Sequence, residues 1–423
     1  MGLFLYATGT SRTLIDFLSH CGLSAAYLTI LNTHNSLAAS LRKRAAEIAS
    51  GPHMLGFDNE QISMSRHISQ RPGAEPTVRS YTASIVYSLR DATLLSCGLS
   101  PILERRKKCG IISFKEHILS SRAQKASITQ HIVLNVIEIL FKNVDGFDSE
   151  VYKKLIEHEA HRPPPQNYKT TECVNPTMEF DEAKTSGVLS FIETLYLEIF
   201  KLSEEILENL AIPTVNDQLT NSRVRTSQIE RRDDESAFLR MDNFQIGVGF
   251  FHVLMNLLWQ IRSNHKGSDE VPGSLSFWWQ LLGTKRVGND RPDYYTLRTF
   301  LYDVLYANIL HCWSKKTGYA RLEDFAEKKP SPEELMSIAR EIVDEYASDK
   351  ALESSDDNLL NNAILLNRDL LFFYETDSAI SSGDFGRLEQ LFGILARMFS
   401  GAGAKNYALE FLHLIQKDRK SVV

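Results

Sequence analysis

Apolar residues recur at helical spacing over most of this 423-residue chain, while runs at strand spacing are few and short. Between residues 24 and 48, Tyr27, Leu28, Leu31, Leu37 and Leu41 fall on one face of a predicted helix. The strand candidates are His53–Phe57, Ser84–Leu89 and Leu210–Asn216, and a polar loop with Arg66 and Arg71 separates the first two. This pattern predicts a helix-rich α/β fold with a short mixed sheet and flanking helices.

The length of the chain exceeds what one ordinary hydrophobic core holds, so we expect two or three domains, or one domain with a large insertion. A hydrophobic share of 43% and a charged share of 24% are typical of a globular protein. The net charge of −6 excludes a uniformly basic nucleic-acid-binding surface, but it leaves room for a local basic groove.

The five cysteines are scattered along the chain and never form a Cys-x-x-Cys pair, which predicts reduced thiols in a reducing compartment. The apolar start, Met1–Tyr6, lacks the basic segment of a secretory signal. No apolar run reaches the roughly 18 residues that a membrane span needs. We therefore expect a soluble, intracellular protein without a membrane partner.

Several short motifs fail on inspection. Gly247-Val248-Gly249 lacks the third glycine of a dinucleotide-binding turn, and the pattern around it favours a helix over a strand. Gly401–Lys405 lacks the spacing of a phosphate-binding loop. His158 and His161 lie three residues apart beside a run of prolines, but without an evident carboxylate or thiolate they make a weak metal site.

Two aspartates at strand ends carry the strongest chemical signal. Asp58 follows the first strand candidate, and Asp217 follows the third, in which Pro213 favours an edge position. A strand end holds a side chain on a rigid backbone at the lip of a sheet. Two such carboxylates on neighbouring strands could share a pair of Mg²⁺ or Mn²⁺ ions about 3.5–4 Å apart. With 53 acidic residues in the chain, spacing alone does not decide this.

A set of short stretches, in the same order along the chain, resembles a fungal domain family of unknown function, family 6589, associated with Kyakuja–Dileera–Zisupton-type transposon proteins. The stretches are Ser11–Ile15, Cys21–Tyr27, Phe57–Asn59, Asn216–Thr220, Gly249–Asn256, Gly383–Glu389 and Gly401–Ala408. The resemblance implies relationship to ribonuclease-H-like transposases. These have a mixed sheet with flanking helices, a large all-helical insertion and an Asp-Asp-Glu triad.

The resemblance implies Mg²⁺- or Mn²⁺-dependent cleavage and strand transfer on DNA, and hence a nuclear location. Asp58 would be the first catalytic and metal-binding acid, and Asp217 the second. For the third we predict Glu389, rather than Asp384 or Glu410, because leucines on its helix would hold it against the sheet. Related chains continue past the equivalent of Leu414 to another acidic position, so the resemblance also allows a degenerate, inactive chain.

The implied domain organisation has four parts. Residues 1–50 form N-terminal helices, and 51–220 form the first part of the core with a helical excursion over 111–210. Residues 221–380 form the helical insertion, and 381–423 the closing helices of the core. Two alternatives stay open: a non-catalytic helical interaction or scaffold protein, and a small-molecule enzyme with a pocket around Trp278, Trp279 and Tyr295. The sequence does not define an oligomeric state.

Overall fold

A computed structural model describes residues 1–64, 77–288, 291–353 and 356–421 of the chain. It divides into two compact units. The first, which we call the sheet unit, comprises Met1–Lys108 and Lys169–Gly249. The second, the helical unit, comprises Cys109–Tyr168 and Phe250–Val423. The polar loop that contains Arg66 and Arg71 lies outside the described residues.

The strands are β1 His53–Met64, β2 Thr77–Ser88, β3 Glu172–Val174, β4 Ile212–Asn216 and β5 Phe244–Val248. The α-helices are α1 Gly2–Ala7, α2 Arg12–His20, α3 Tyr27–Ala49, α4 Leu99–Lys108, α5 Arg122–Asn143, α6 Glu150–Leu155, α7 Thr185–Glu193, α8 Glu204–Asn209, α9 Gln218–Glu230, α10 Phe250–Asn264, α11 Leu275–Leu281, α12 Tyr294–Thr317, α13 Leu322–Ala326, α14 Pro332–Tyr346, α15 Asp349–Leu352, α16 Asn358–Ser381, α17 Phe385–Gly401 and α18 Lys405–Ser421. Two π-helical turns, Phe114–Ile118 and Thr194–Ile199, and a 3₁₀ turn, Lys285–Gly288, complete the regular structure of the described residues.

The sheet unit is built on a mixed five-stranded sheet with the strand order β3-β2-β1-β4-β5. β1 and β3 run antiparallel to β2, whereas β4 runs parallel to both β1 and β5. Leu55 and Phe57 alternate with less buried neighbours along β1, as the two-residue period of a strand requires. They pack in a core with Phe191 of α7 and Phe244 of β5. The chain is therefore α/β and rich in helix, as predicted.

The first strand is longer than the sequence pattern indicates. Asp58 does not end β1, because antiparallel pairing with β2 continues from His53 to Met64. Only the first part of β1 lies beside β4, where Leu55 is paired with Thr214. This register places Asp58, three residues after Leu55, at the same level as Asp217, three residues after Thr214.

The predicted edge position of β4 is wrong, since β4 lies between β1 and β5. The amide of Ile212 donates to the carbonyl of Asn243, towards the β5 side. Successive residues of a strand face opposite neighbours, so the nitrogen of Pro213 points away from that hydrogen-bond ladder. The proline therefore costs no pairing with β5.

The expectation of helix around Gly247 is also wrong, because Gly247 lies inside β5. The strand has only five residues, and α10 begins at Phe250, two residues after it ends. A five-residue apolar run next to a helix is too short to show the two-residue period of a strand. This explains why the sequence pattern predicts a helix around Gly247.

The helical unit contains no strand among its described residues. Its fully buried aromatic side chains include Trp313, Phe373, Phe392, Phe399 and Phe411. The helices α17 and α18, predicted to close the core of the sheet, belong to this unit. None of the helices within the described ranges is long and apolar enough to cross a membrane.

Candidate metal centre

An asparagine at the end of β4 holds three strands together. The amide of Phe57 on β1 donates to Oδ1 of Asn216 at 3.1 Å. Nδ2 of Asn216 donates to Oδ1 of Asn221 at 3.3 Å, and Nδ2 of Asn221 donates to the carbonyl of Gly247 on β5 at 3.0 Å. All these groups are wholly or partly buried. These hydrogen bonds link β1, β4 and β5 next to the two aspartates that the sequence predicts as site residues, Asp58 and Asp217.

Asp217 is the N-cap of α9. Its Oδ1 accepts the backbone N–H of Thr220 at 2.7 Å, which satisfies one free donor of the first helical turn. The positive end of the helix dipole favours a carboxylate at this position. The cap therefore fixes the half-buried side chain of Asp217 at the junction of β4 and α9.

Asp58 lies on β1, opposite Ala83 of β2, and its side chain is exposed. Its Oδ1 accepts the backbone N–H of Asn59 at 2.8 Å. Since β1 and β4 are parallel neighbours here, the rigid backbone presents Asp58 and Asp217 on the same side of the strand pair.

The structure adds Glu182, a third acid that the sequence analysis missed. It lies in the segment between β3 and α7 and is only 2% exposed. The hydroxyl of Thr220 donates to its Oε1 at 2.8 Å, whereas the buried Oε2 has no hydrogen-bond partner among the described residues. No periodic pattern surrounds Glu182, so the sequence offers no signal that would place it beside the aspartates.

Burial raises the pKa of Glu182 to about 7. Hydrogen bonding from Thr220 and from the backbone of Asn59 opposes this rise in pKa, and the charges of Asp58 and Asp217 add to it. Near neutral pH the carboxyl group therefore titrates, and removal of its proton leaves a buried charge beside two other acids.

One oxygen from each of Asp58, Glu182 and Asp217 lies within 4.8 Å of the other two. Carboxylate oxygens are the ligands that Mg²⁺ and Mn²⁺ prefer. Oε2 of Glu182 is buried and has no hydrogen-bond partner among the described residues, so the protein does not compensate for the loss of its hydration. A bound cation would supply that compensation, which is why this atom tests whether the three acids fit a metal ion. The three residues therefore fit a divalent cation.

The other acids proposed for the third position lie in the helical unit. Glu389 on α17 accepts from Nη2 of Arg162 at 2.7 Å. Asp384 caps α17 and accepts the backbone N–H groups of His161 and Arg162 at 2.9 and 2.8 Å. Glu410 is buried on α18.

The leucines expected to hold Glu389 against a sheet, Leu388, Leu391 and Leu395, are indeed buried. They pack, however, in a unit without a strand in its described part. Of the described residues, two sets of three could offer close metal ligands, and Glu389 belongs to neither. The metal-binding and catalytic role of Glu389 stays a prediction. The group of three acids in the sheet unit does not include this residue.

The aromatic residues considered as a small-molecule pocket have unlike environments. Trp279 is buried, packs near Phe300 and lies under the guanidinium of Arg262. Tyr295, by contrast, is 67% exposed. Trp279 therefore serves the core of the helical unit, as an aromatic residue at helical spacing usually does.

Fold and site together define an α/β protein in which a mixed five-stranded sheet places two aspartates near the C-terminal end of β4, where a buried glutamate from the segment before α7 joins them. Residues 109–421 match the family of unknown function DUF6589, and the chain belongs to that family. The matched range contains Glu182 and Asp217, while Asp58 precedes it. No curated protein and no solved structure matches the chain significantly.

Proposed function

We propose that the sheet unit carries a ribonuclease-H-like, transposase-derived centre for divalent-metal-dependent cleavage and strand transfer at DNA phosphodiesters. The observation that carries the proposal is the convergence of Asp58, Glu182 and Asp217 within 4.8 Å, with an oxygen of the buried Glu182 left without a hydrogen-bond partner. Glu182, rather than Glu389, is the third acid of this proposed centre.

The topology supports the ribonuclease-H-like assignment. Three antiparallel strands followed by two parallel ones, in the order β3-β2-β1-β4-β5, are what such a sheet would have. The first acid lies on the central strand β1, and the second follows the adjacent parallel strand β4. Fold similarity alone does not establish activity, so the acids carry the functional argument.

Each residue of the centre has a role that its contacts support. Asp58, Asp217 and Glu182 would hold the cations, and Thr220 orients two of them through its amide and its hydroxyl. Asn216 keeps β1 and β4 in register beneath them. Bound Mg²⁺ or Mn²⁺ would supply a more acidic water or 3′-hydroxyl and would stabilise the leaving oxygen.

DNA as the substrate, a fungal transposon origin and a nuclear location rest on the family resemblance. The stretches around Asp217, at Gly249–Asn256, Gly383–Glu389 and Gly401–Ala408 lie inside the matched range, and the three stretches before residue 109 lie outside it. The protein net charge of −6 means that DNA would have to bind at a local surface.

Titration of the full chain with Mn²⁺, followed by the loss of the free-ion electron paramagnetic resonance signal, tests the centre. We expect Asp58→Asn to weaken Mn²⁺ binding at least about tenfold, because it removes a charged oxygen ligand. Glu60→Gln is the matched control, since Glu60 is an exposed acid on the same strand outside the group of three. Equal affinities of the wild type and Asp58→Asn would refute the metal centre.

Nicking of supercoiled plasmid DNA tests the chemistry separately. We expect cleavage by the wild type with Mn²⁺ or Mg²⁺, and none by Asp58→Asn or Asp217→Asn. Normal Mn²⁺ binding without nicking by any variant would retain the centre but refute the nuclease. That result would favour the alternative, a non-catalytic interaction protein.

A further inference from the structure

Three histidines of the helical unit meet at one point of α5. Nδ1 of His131 lies 2.8 Å from Nδ1 of His158, and Nε2 of His131 lies 3.3 Å from Nε2 of His161. His131 is buried on α5, His158 is half-buried, and both His158 and His161 follow α6. The sequence shows only the pair at 158 and 161, because His131 is 27 residues from its neighbour.

A buried carboxylate completes this group. One ligand atom each from His131, His158 and Glu375 lies within 4.8 Å of the other two. Glu375 on α16 is 1% exposed. Two imidazole nitrogens and one carboxylate oxygen form a ligand set that Zn²⁺ uses when it leaves a fourth position for water. The carboxylate that the sequence analysis lacked is thus contributed by a distant helix.

The surroundings of these residues fix their orientation. Arg387 donates from Nε and Nη2 to Oε1 of Glu375 at 3.0 and 2.8 Å, and its Nη2 also donates to Oε2 at 2.8 Å. Asn135 donates to Oε2 at 2.8 Å. Asp384 holds the loop with the histidines through the backbone N–H groups of His161 and Arg162. Metal ligands are commonly held by such outer hydrogen bonds.

The second nitrogen of His131 has a partner as well. If Nδ1 of His131 binds a metal through its lone pair, the proton of the ring resides on Nε2. This N–H can then donate to Nε2 of His161, which lies 3.3 Å away. A metal-binding histidine almost always donates its other N–H to a neighbouring group. His161 is therefore a positioning residue, in addition to its contact with the hydroxyl of Ser127.

The charges around the group permit a cation. Burial and the guanidinium of Arg387 lower the pKa of His131 to about 3 and that of His158 to about 4, so both rings are neutral near pH 7. The positive charge of Arg387 opposes a cation, but Glu375 and the buried Asp384 carry two negative charges beside it. Together, Arg387, Glu375 and Asp384 carry one net negative charge.

We propose that His131, His158 and Glu375 form a Zn²⁺ site within the helical unit, separate from the carboxylate centre of the sheet unit. Both histidines bind through Nδ1, and Glu375 binds through one oxygen while Arg387 holds the carboxylate in place. The bound ion ties the loop after α6 to α5 and α16.

Zn²⁺ titration against a chromophoric chelator tests the site in the full chain carrying Asp58→Asn, which disables the carboxylate centre. After dialysis against EDTA we expect one equivalent of Zn²⁺ to bind, with millimolar Mg²⁺ unable to displace it. His158→Ala, whose side chain is only half-buried, should weaken binding at least about 100-fold. His161→Ala should weaken it about tenfold, as the loss of an outer hydrogen bond does.

His311→Ala is the matched control, because His311 is an exposed histidine on α12 of the same unit. It should bind Zn²⁺ like the parent, and circular dichroism should confirm that each variant is folded. Co²⁺ should give the intense visible spectrum of a tetrahedral nitrogen and oxygen site, lost in His158→Ala. A folded parent that binds no Zn²⁺, or Zn²⁺ binding unchanged by His158→Ala, would show that the histidines share protons only.

Discussion

Glu375 in the helical unit and Glu182 in the sheet unit are both almost fully buried, but their surroundings differ in kind. Glu375 is 1% exposed and receives hydrogen bonds from Arg387 and Asn135. Glu182 is 2% exposed, and its Oε1 accepts a hydrogen bond from Thr220 while its Oε2 has no hydrogen-bond partner among the described residues. Two other acids are its neighbours. A buried charge is costly unless other groups compensate for it. The protein itself provides that compensation for Glu375, whereas for Glu182 a bound ligand would have to provide it.

The comparison separates stability from function. In the helical unit the charges are arranged to hold α16, α17 and α5 together, and the proposed ion adds to an arrangement that is already satisfied. In the sheet unit the fold forces three acids together, and of their charges only that of Asp217, the cap of α9, has a stabilising role. Such a locally unfavourable group is typical of a functional site.

Breaking the compensated pair should have the largest effect. Arg387→Met leaves Glu375 as an unpaired buried carboxylate, which we expect to destabilise the helical unit by about 3–5 kcal/mol at neutral pH. Urea unfolding, followed by hydrogen exchange in α16 and α17, measures the loss. The effect should shrink at acid pH, because burial raises the pKa of Glu375 and protonation removes the charge.

Lys43→Met is the control for this experiment. Lys43 and Glu47 form an ion pair on α3 whose side chains are 82% and 65% exposed. Exposed pairs of this kind contribute about 0–1 kcal/mol, so the control should unfold nearly as the wild type does. A loss of less than about 1 kcal/mol in Arg387→Met would contradict the assignment of a structural role to the pair.

The two units should respond to pH in opposite directions when metal is absent. The folded-state pKa of Glu182 is about 7 against an ordinary 4.5, so the folded chain binds the proton more tightly. Its contribution is present below pH 4.5 and is lost as the pH rises to 7, by at most about 3 kcal/mol. His131 and His158 have lowered pKa values, so their contribution is present above pH 6.5 and is lost towards pH 4.

Hydrogen exchange resolved by unit, in EDTA between pH 5 and 7.5, measures these opposed trends after correction for the intrinsic exchange rates. In Glu182→Gln the slope of the sheet unit should flatten, while that of the helical unit should not change. A common slope for both units in the wild type would remove the contrast between the two glutamates.

The sequence was sufficient for the parts of the site that local patterns encode. The apolar run that ends at Asn216 predicts β4, and Asp217 directly follows it as the cap of α9. Asp58 was found by the same pattern and by resemblance, although β1 extends beyond it because its partner β2 is equally long. The helix-rich α/β class likewise follows from local periodicity.

The missing parts depend on contacts between distant segments. Glu182 is brought to the site by Thr220, 38 residues away, and it lies in a segment without a helical or strand period. Glu375 reaches Asn135 across 240 residues. Rules based on local sequence patterns cannot predict contacts over such separations in the chain. The expected Asp-Asp-Glu triad therefore gave no means of locating Glu182 in the sequence.

The smallest effect on stability should come from a substitution that nevertheless weakens metal binding. Glu182→Gln keeps the shape and an acceptor for the hydroxyl of Thr220, and its amide N–H groups can donate to the neighbouring carboxylates. At pH 7.5 without metal we therefore expect the free energy of unfolding to change by less than about 1 kcal/mol, or to rise, since charge repulsion is relieved. The same variant should bind Mn²⁺ at least about tenfold more weakly, because the ligand has lost its charge. A loss of several kcal/mol would mean that the charge of Glu182 stabilises the fold, and that the sheet unit, like the helical unit, compensates its own buried acid.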